Sequence, residues 1–234
     1  MQNTSHAVMA QRTEALDSPD DFPTPPWATR ALLEHVINVN LLTEQTCLEP
    51  ACGAGHMVRV LREYFREVHY SDAYEYGYGA IRDFLADPFE DDSYDWVITN
   101  PPFRLAEEFI LRALDIARVG VAILARTVFL ESAGRYKALF QERPPGVFAQ
   151  FVERVPMVKG RLDAKATTAT GYAWFVWQHQ APNVPCLTWI PPCRRALERH
   201  GDYENGNQTF DVRVVRTQPT KTGQSKRNIR TAIP

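Results

Sequence analysis

In this chain of 234 residues, the group best equipped for chemistry is Asn100, Pro101, Pro102 and Phe103. Asn100 carries an amide oxygen, Pro101 presents a backbone carbonyl, and Phe103 offers an aromatic face. Two acceptors beside an aromatic plane suit a flat group that bears an NH2. Two successive prolines cannot extend a hydrogen-bonded ladder, and the residue before each is driven away from helical angles, so the turn is rigid. The plain alternative is a strand that ends in a proline turn followed by an ordinary core phenylalanine.

The residues before the turn, Asp95 to Thr99, read as a buried strand. The turn therefore falls at a strand's carboxyl end, where open α/β sheets place their ligands. Upstream, Thr46 to Glu49 reads as a short strand and Pro50 to Gly55 as the turn after it, opening a helix from about His56 to Phe65. Gly53 and Gly55 let the backbone approach a ligand closely, but no third glycine completes a dinucleotide fingerprint. Glu49, at the mouth of this turn, would repel a pyrophosphate and attract an ammonium or another cation. Val68 to Ser71 reads as the next strand and is closed by Asp72, seventeen residues after Gly55. That interval is close to the one at which an acid holds ribose hydroxyls in nucleoside-binding α/β folds; a helix cap or turn acid is the common alternative. Ala80 to Leu85 reads as a short third strand. In it Asp83 could accept from an exocyclic amine and Phe84 could pack on a purine, or the two could serve as loop polar and core apolar residues. Ahead of all these, Asp21 to Trp27 is a proline-rich lead-in to a helix from about Ala28 to Val39. Thr24 or a neighbouring N–H could face a ligand there, or Phe22 and Trp27 could simply cover the core.

The elements that must position these residues follow from periodicity. Leu105, Phe109, Ala113 and Ile116 form one stripe of a helix from Arg104 to Ala117. Val119 to Ala125 is apolar throughout, as in a strand covered on both faces. Glu131 to Gln141 reads as helix, and Val147 to Val155 and Tyr172 to Trp177 as two more strands. The connection between those strands has no helical pattern, which favours an antiparallel hairpin over a crossover. Its loop should emerge on the same rim as Asn100, carrying Lys159, Arg161 and Lys165 to the substrate side. The expected fold is α/β: a doubly wound, mostly parallel, seven-stranded sheet whose last strand is antiparallel. Residues 1–20 are expected to be flexible, 21–202 to form one catalytic domain, and 203–234 to be a basic tail.

Composition narrows the class. Hydrophobic content of 44% and charged content of 23% are those of an ordinary globular protein. The net charge of −2 supplies no global basic field, so any nucleic acid must be met by local patches. Cys47, Cys52, Cys186 and Cys193 fall at no zinc or redox spacing and read as reduced thiols of a cytoplasmic protein. No apolar run approaches bilayer length, so no membrane partner is expected.

Taken in order, the acid with Gly-x-Gly, the acid after the second strand, Asp-Phe after the third and Asn-Pro-Pro-Phe after the fourth resemble the class I S-adenosylmethionine-dependent methyltransferases. The tetrad is similar to that of amino-methyltransferases, above all the N6-adenine DNA methyltransferases. Phe129-Leu-Glu, Arg135 and Tyr172 to Trp177 resemble the small phage and prophage members. The resemblance runs from Phe22 to Trp177. It implies a Rossmann-like fold, S-adenosyl-L-methionine as cofactor without metal, and methylation of the adenine N6 amine in DNA. It also implies roles. Phe22, Thr24 and Pro25 would lie beside the methionine moiety, with Glu49, Ala51, Gly53 and Gly55 receiving it. Asp72 would take the ribose and Asp83 with Phe84 the cofactor's adenine; Asn100, Pro101, Pro102 and Phe103 would bind and orient the target. Phe103 stands where the family often has tyrosine, and no separate recognition domain is legible after Trp177. Adenine in RNA, and less closely protein glutamine, are alternative targets of the same tetrad.

Overall fold

The central strands bury both faces, and their side chains divide by parity. In β4 (Tyr94–Thr99), Trp96 and Ile98 join one apolar cluster while Val97 joins another. In β5 (Ala117–Arg126), Ala122 and Leu124 go with the first cluster, and Val121, Ile123 and Ala125 with the second. β7 (Tyr172–Gln178) repeats the division, with Trp174 and Val176 against Phe175 and Trp177. This is the period-two alternation of a strand with helices on both sides.

The computed structural model describes residues 20–180 and 184–203. Helix α1 (Pro26–His35) starts with proline in its first turn, where the missing N–H costs nothing, and packs on α2 (His56–Leu61) over the first cluster. Helix α3 (Ala106–Ile116) covers the second cluster through Ala106, Phe109, Ile110, Ala113 and Ile116, at helical spacing. Leu105, expected on that stripe, lies instead in a 3-10 turn, Phe103–Leu105, and is largely exposed.

With β1 (Thr46–Glu49), β2 (Glu67–Asp72), β3 (Ala80–Ile81), β6 (Val147–Phe151) and β8 (Cys186–Ile190), the sheet runs β3-β2-β1-β4-β5-β7-β6-β8. Every pairing is parallel except the two that β7 makes, with β5 and β6. The α/β, mostly parallel reading holds, and so does the hairpin from β6 into an antiparallel β7. The strand count does not: the sheet has eight strands, not seven, because β8 adds to β6 as a parallel edge strand. Prolines flank it, and Leu187 and Trp189 stay exposed, so it lacks the buried alternation that marks the others. β6 also ends earlier than Val155. Beyond it Glu153 turns away to accept the N–H groups of Cys193 and Arg194, both at 2.7 Å, at the start of α5 (Arg194–Leu197). The helix expected over Glu131 to Gln141 forms as α4 (Ala133–Arg135) and a π turn, Tyr136–Phe140. Among the described residues no helix is long and apolar enough to cross a membrane. The flexible segment expected over residues 1–20 lies, but for Asp20, outside the described residues, as do 204–234 of the expected tail.

Candidate active site at the strand carboxyl ends

Strand order reverses between β1 and β4, running outward through β2 and β3 on one side and through β5 on the other, and a parallel sheet opens a crevice at such a switch point. Glu49 closes β1, Asp72 closes β2, and Asn100 follows β4, so all three emerge on the same rim. They border a cavity of about 240 Å³.

Asn100 is oriented by contacts from far along the chain. Its Nδ2 donates to the Phe22 carbonyl at 2.9 Å and to Thr24 Oγ1 at 3.1 Å, with Met157 Sδ at 3.8 Å. Both amide hydrogens are thereby engaged, and the amide cannot flip without losing them. Its Oδ1 is buried and finds no hydrogen-bond partner among the described residues. A buried acceptor left open is costly unless something arrives to donate to it. The backbone of the tetrad is pinned as well, with the Phe103 N–H donating to Asp20 Oδ2 at 2.7 Å.

Glu49 repeats the pattern on β1. Oε1 accepts the Thr99 hydroxyl at 2.6 Å and the Ala51 N–H at 3.2 Å, while Oε2 is buried and unpartnered among the described residues. Burial pushes this carboxyl up to about 8, against the opposing pull of the Thr99 and Ala51 bonds. Asp72 accepts the Gly53 N–H at 2.9 Å through Oδ2 and the Tyr74 N–H at 3.0 Å through Oδ1, so it orders the glycine turn as a turn acid does. Each oxygen keeps a further lone pair for a ligand hydroxyl. Asp72 too is raised, by burial, despite those N–H groups. Asp21 is raised by burial and then by Asp72, with Lys159 pulling the other way. His56 is pushed down to about 4 by burial and by Arg59, so it is neutral near pH 7. The cavity wall is thus rich in carboxyls and poor in neutralising cations. Its chemistry favours a ligand with positive charge.

The two glycines act differently. Gly53, at φ +49°, lies on the wall, and a Cβ there would have only Asp21 Oδ1 within 4 Å, at 3.8 Å. Gly55 is off the wall; a Cβ on it would fall 2.1 Å from the Tyr78 ring, so glycine is required by packing as well as by φ +78°. Of the other residues singled out above, Phe22, Thr24, Ala51, Asp83, Phe84 and Pro102 line the cavity. Phe84 is also a core residue, 4.9 Å from Phe109, and Asp83 Oδ1 also accepts the N–H groups of Leu85 and Ala86. Pro25 heads α1, and its carbonyl accepts the Ala28 N–H. Pro101 and Phe103 lie just outside the wall, with Phe103 5.3 Å from Phe22. The 152–171 loop reaches the rim at Met157, and its Gly160 N–H donates to the Asp21 carbonyl at 2.9 Å. Lys159 is close enough to act on Asp21, whereas Arg161 is exposed and pairs with Asp163 at 3.3 Å; Lys165 is exposed too and lies off the cavity wall.

Asp20, Asp21, Met157 and Arg126 were not singled out by the sequence. No local spacing marks them; each reaches the tetrad or the cavity only through tertiary packing. Among the described residues no group of three or more His, Cys, Asp or Glu side chains is arranged to hold a metal ion.

No protein-family model matches the chain, and no curated protein matches its sequence. Solved structures do. A modification subunit attributed to a type I restriction enzyme of Vibrio vulnificus superposes with a TM-score of 0.53 at 15% identity, over 72% of this chain and 46% of that one. This chain has the class I methyltransferase fold. A Pyrococcus horikoshii protein attributed to the RNA methyltransferases matches at a TM-score of 0.48 and 14% identity, over 71% of this chain and 92% of that one. An S-adenosylmethionine-dependent O-methyltransferase of Thermotoga maritima matches at 0.43 and 14%, over 67% and 65%. The chain therefore spans less than half of the Vibrio subunit. Within the class I methyltransferase fold, the cavity sits at the β1–β4 switch point, lined by Glu49 at the end of β1 and by Asn100 after β4.

Proposed function

We propose that the chain is an S-adenosylmethionine-dependent N-methyltransferase that acts on the N6 amine of adenine in DNA. The observation that carries this is the Asn100 amide: its hydrogens are tied to Phe22 and Thr24, and its buried oxygen is left without a partner among the described residues, in the same turn as Phe103. A carboxylate target brings no donor to that acceptor and a hydroxyl brings one; an NH2 brings two, enough for Asn100 Oδ1 and the Pro101 carbonyl together.

The cavity's chemistry fits the cofactor. S-adenosylmethionine carries a sulfonium and an ammonium, and Glu49 presents a buried oxygen without a partner among the described residues, in a wall that also carries Asp20, Asp21, Asp72 and Asp83. On this reading residues 21–202 are the catalytic domain. Glu49 receives the ammonium, Gly53 allows close approach, and Asp72 offers lone pairs to the ribose. The bound cofactor supplies a methyl group already activated for transfer.

The chain's own part is alignment and electrostatics. An exocyclic amine is a poor nucleophile because its lone pair is conjugated with the ring. Hydrogen bonds from that NH2 to Asn100 Oδ1 and the Pro101 carbonyl draw the nitrogen toward tetrahedral geometry and stabilise its developing positive charge. This is an oxyanion hole with the sign reversed. As the N–C bond forms, the C–S bond breaks, and one proton then leaves the methylated nitrogen for water. Duplex DNA hides the amine, so the base must be rotated out of the stack to reach the rim. The attribution of the Vibrio subunit to a restriction system is in keeping with a DNA target.

The test is nucleoside analysis of DNA and RNA from cells expressing the protein, beside cells expressing Asn100→Ala. N6-methyladenine is expected in DNA from the first only. The purified variant should bind the cofactor normally and lose about a hundredfold or more in kcat. Methyladenine confined to RNA, or methylglutamine in protein, would overturn the DNA assignment.

A further inference from the structure

Phe103 is not bare. The guanidinium of Arg126 lies over its ring, 4.2 Å from the centroid. Phe22 packs at 5.3 Å with the ring planes tilted by 36°, and Tyr172 at 6.2 Å with a tilt of 37°. Arg126 is the last residue of β5, in register with Tyr172 on β7, and its charge pulls the Tyr172 hydroxyl down against the larger effect of burial. Its Nε, however, is buried and has no partner among the described residues. A planar, weakly hydrated cation thus rests on the aromatic face of the tetrad, with part of its donor capacity unused.

We infer that Arg126 covers, in the substrate-free protein, the face of Phe103 on which the target ring stacks, and that the ring binds by displacing the guanidinium. The inference rests on the adenine reading above and names the positioning residue for it. Phe103 cannot be the part that moves: its backbone is pinned by Asp20, and its ring is held by Phe22 and Tyr172. Arg126 sits at the end of a long rotatable stem and gives up a stack without breaking a saturated hydrogen-bond set. A flat ring as wide as a purine needs the covered face; a small amide does not. The resting stack therefore selects for aromatic amines and keeps the ring's site dry until one arrives.

The test uses the full chain saturated with S-adenosylhomocysteine and titrated with adenosine, which brings no phosphate. NMR follows the Arg126 Nε–Hε peak and the Asn100 side-chain amide. In the free protein the Arg126 Hε should be displaced upfield by the Phe103 ring current. Adenosine should return it to the ordinary arginine position along the same curve that moves Asn100. Arg126→Ala should bind adenosine more tightly, by between about twofold and about thirtyfold, the range of a cation–π contact, and Arg126→Lys by less, because its ammonium still stacks but without a flat face. An Arg126 peak that stays put while Asn100 saturates overturns the inference and leaves the adenine reading standing, as do two folded variants that bind no more tightly. Adenosine that never moves Asn100 overturns it as well; methyladenine in cellular DNA then decides whether the adenine reading survives.

Discussion

Glu49 carries a carboxyl that is 1% exposed, with one oxygen engaged by Thr99 and Ala51 and the other without a partner among the described residues. Burial raises it from 4.5 to about 8, so near pH 7 it is mainly protonated when nothing cationic is bound. The folded protein holds this proton more tightly than the unfolded chain. This group's contribution to stability is therefore fully present below about 4.5 and is lost as pH rises toward 8. A cation in the cavity reverses the preference, and its binding must release the proton. Affinity for S-adenosylmethionine should accordingly rise with pH, by up to about tenfold per unit, and level off above about 8. Calorimetry in buffers of different ionisation heat would register the released proton. Glu49→Gln should abolish the pH dependence; an unchanged slope would remove Glu49 from the cation's side of the cavity.

At the next scale up, the 152–171 loop joins two antiparallel strands and is tied down near the cavity, at Met157 and Gly160, while Arg161 and Lys165 remain exposed beyond it. With a formal charge of −2 overall, binding to a phosphate backbone has to come from such local cations. Neutralising Lys159, Arg161 and Lys165 together should weaken duplex binding. For every phosphate that is no longer neutralised, the dependence of log K on log salt should also flatten by about 0.9. Fluorescence anisotropy across a salt series measures both. A slope that does not change would place the phosphate-binding cations elsewhere on the chain.

Across the whole described unit, one buried arginine joins elements distant in sequence. Arg30 on α1 is 3% exposed, paired with Glu63 after α2 at 2.7 Å and with Asp202 beyond α5 at 2.8 Å, and it also donates to the Leu197 carbonyl. Removing the guanidinium would take a shared, buried donor from the Leu197 carbonyl and from both acids, leaving Glu63 with the Arg199 side chain and Asp202 with the Arg199 N–H. Arg30→Ala should cost about 3–5 kcal/mol of stability, the usual penalty for breaking a buried pair from one side. Arg30→Lys should recover only part, because an ammonium cannot bridge two carboxylates in a fixed plane. Chemical denaturation would measure both variants. Since α1 follows directly on the segment that grips Asn100, the Arg30→Ala variant should lose activity at temperatures below its unfolding midpoint.

What the sequence determined by itself is the class of fold and the places where chemistry gathers. The unbroken apolar runs Trp96 to Ile98 and Val121 to Ala125 need no partner to be read as buried strands, and the prolines after Asn100 end a strand wherever it lies. An edge strand with exposed Leu187 and Trp189 carries no such pattern, so β8 emerged only when β6 supplied its pairing. The same division runs through the site. Glu49, Asp72 and Asn100 stand at strand ends and are legible from spacing. Only the tertiary structure decided that Phe22, 78 residues from Asn100, holds the amide so that its oxygen is left without a partner among the described residues, that Tyr78 rather than a ligand demands glycine at 55, and that Arg126 covers Phe103. The reason is physical: strand ends and turns are set by neighbouring backbone angles, whereas the direction of a buried dipole is set by whichever distant group lies within hydrogen-bond reach.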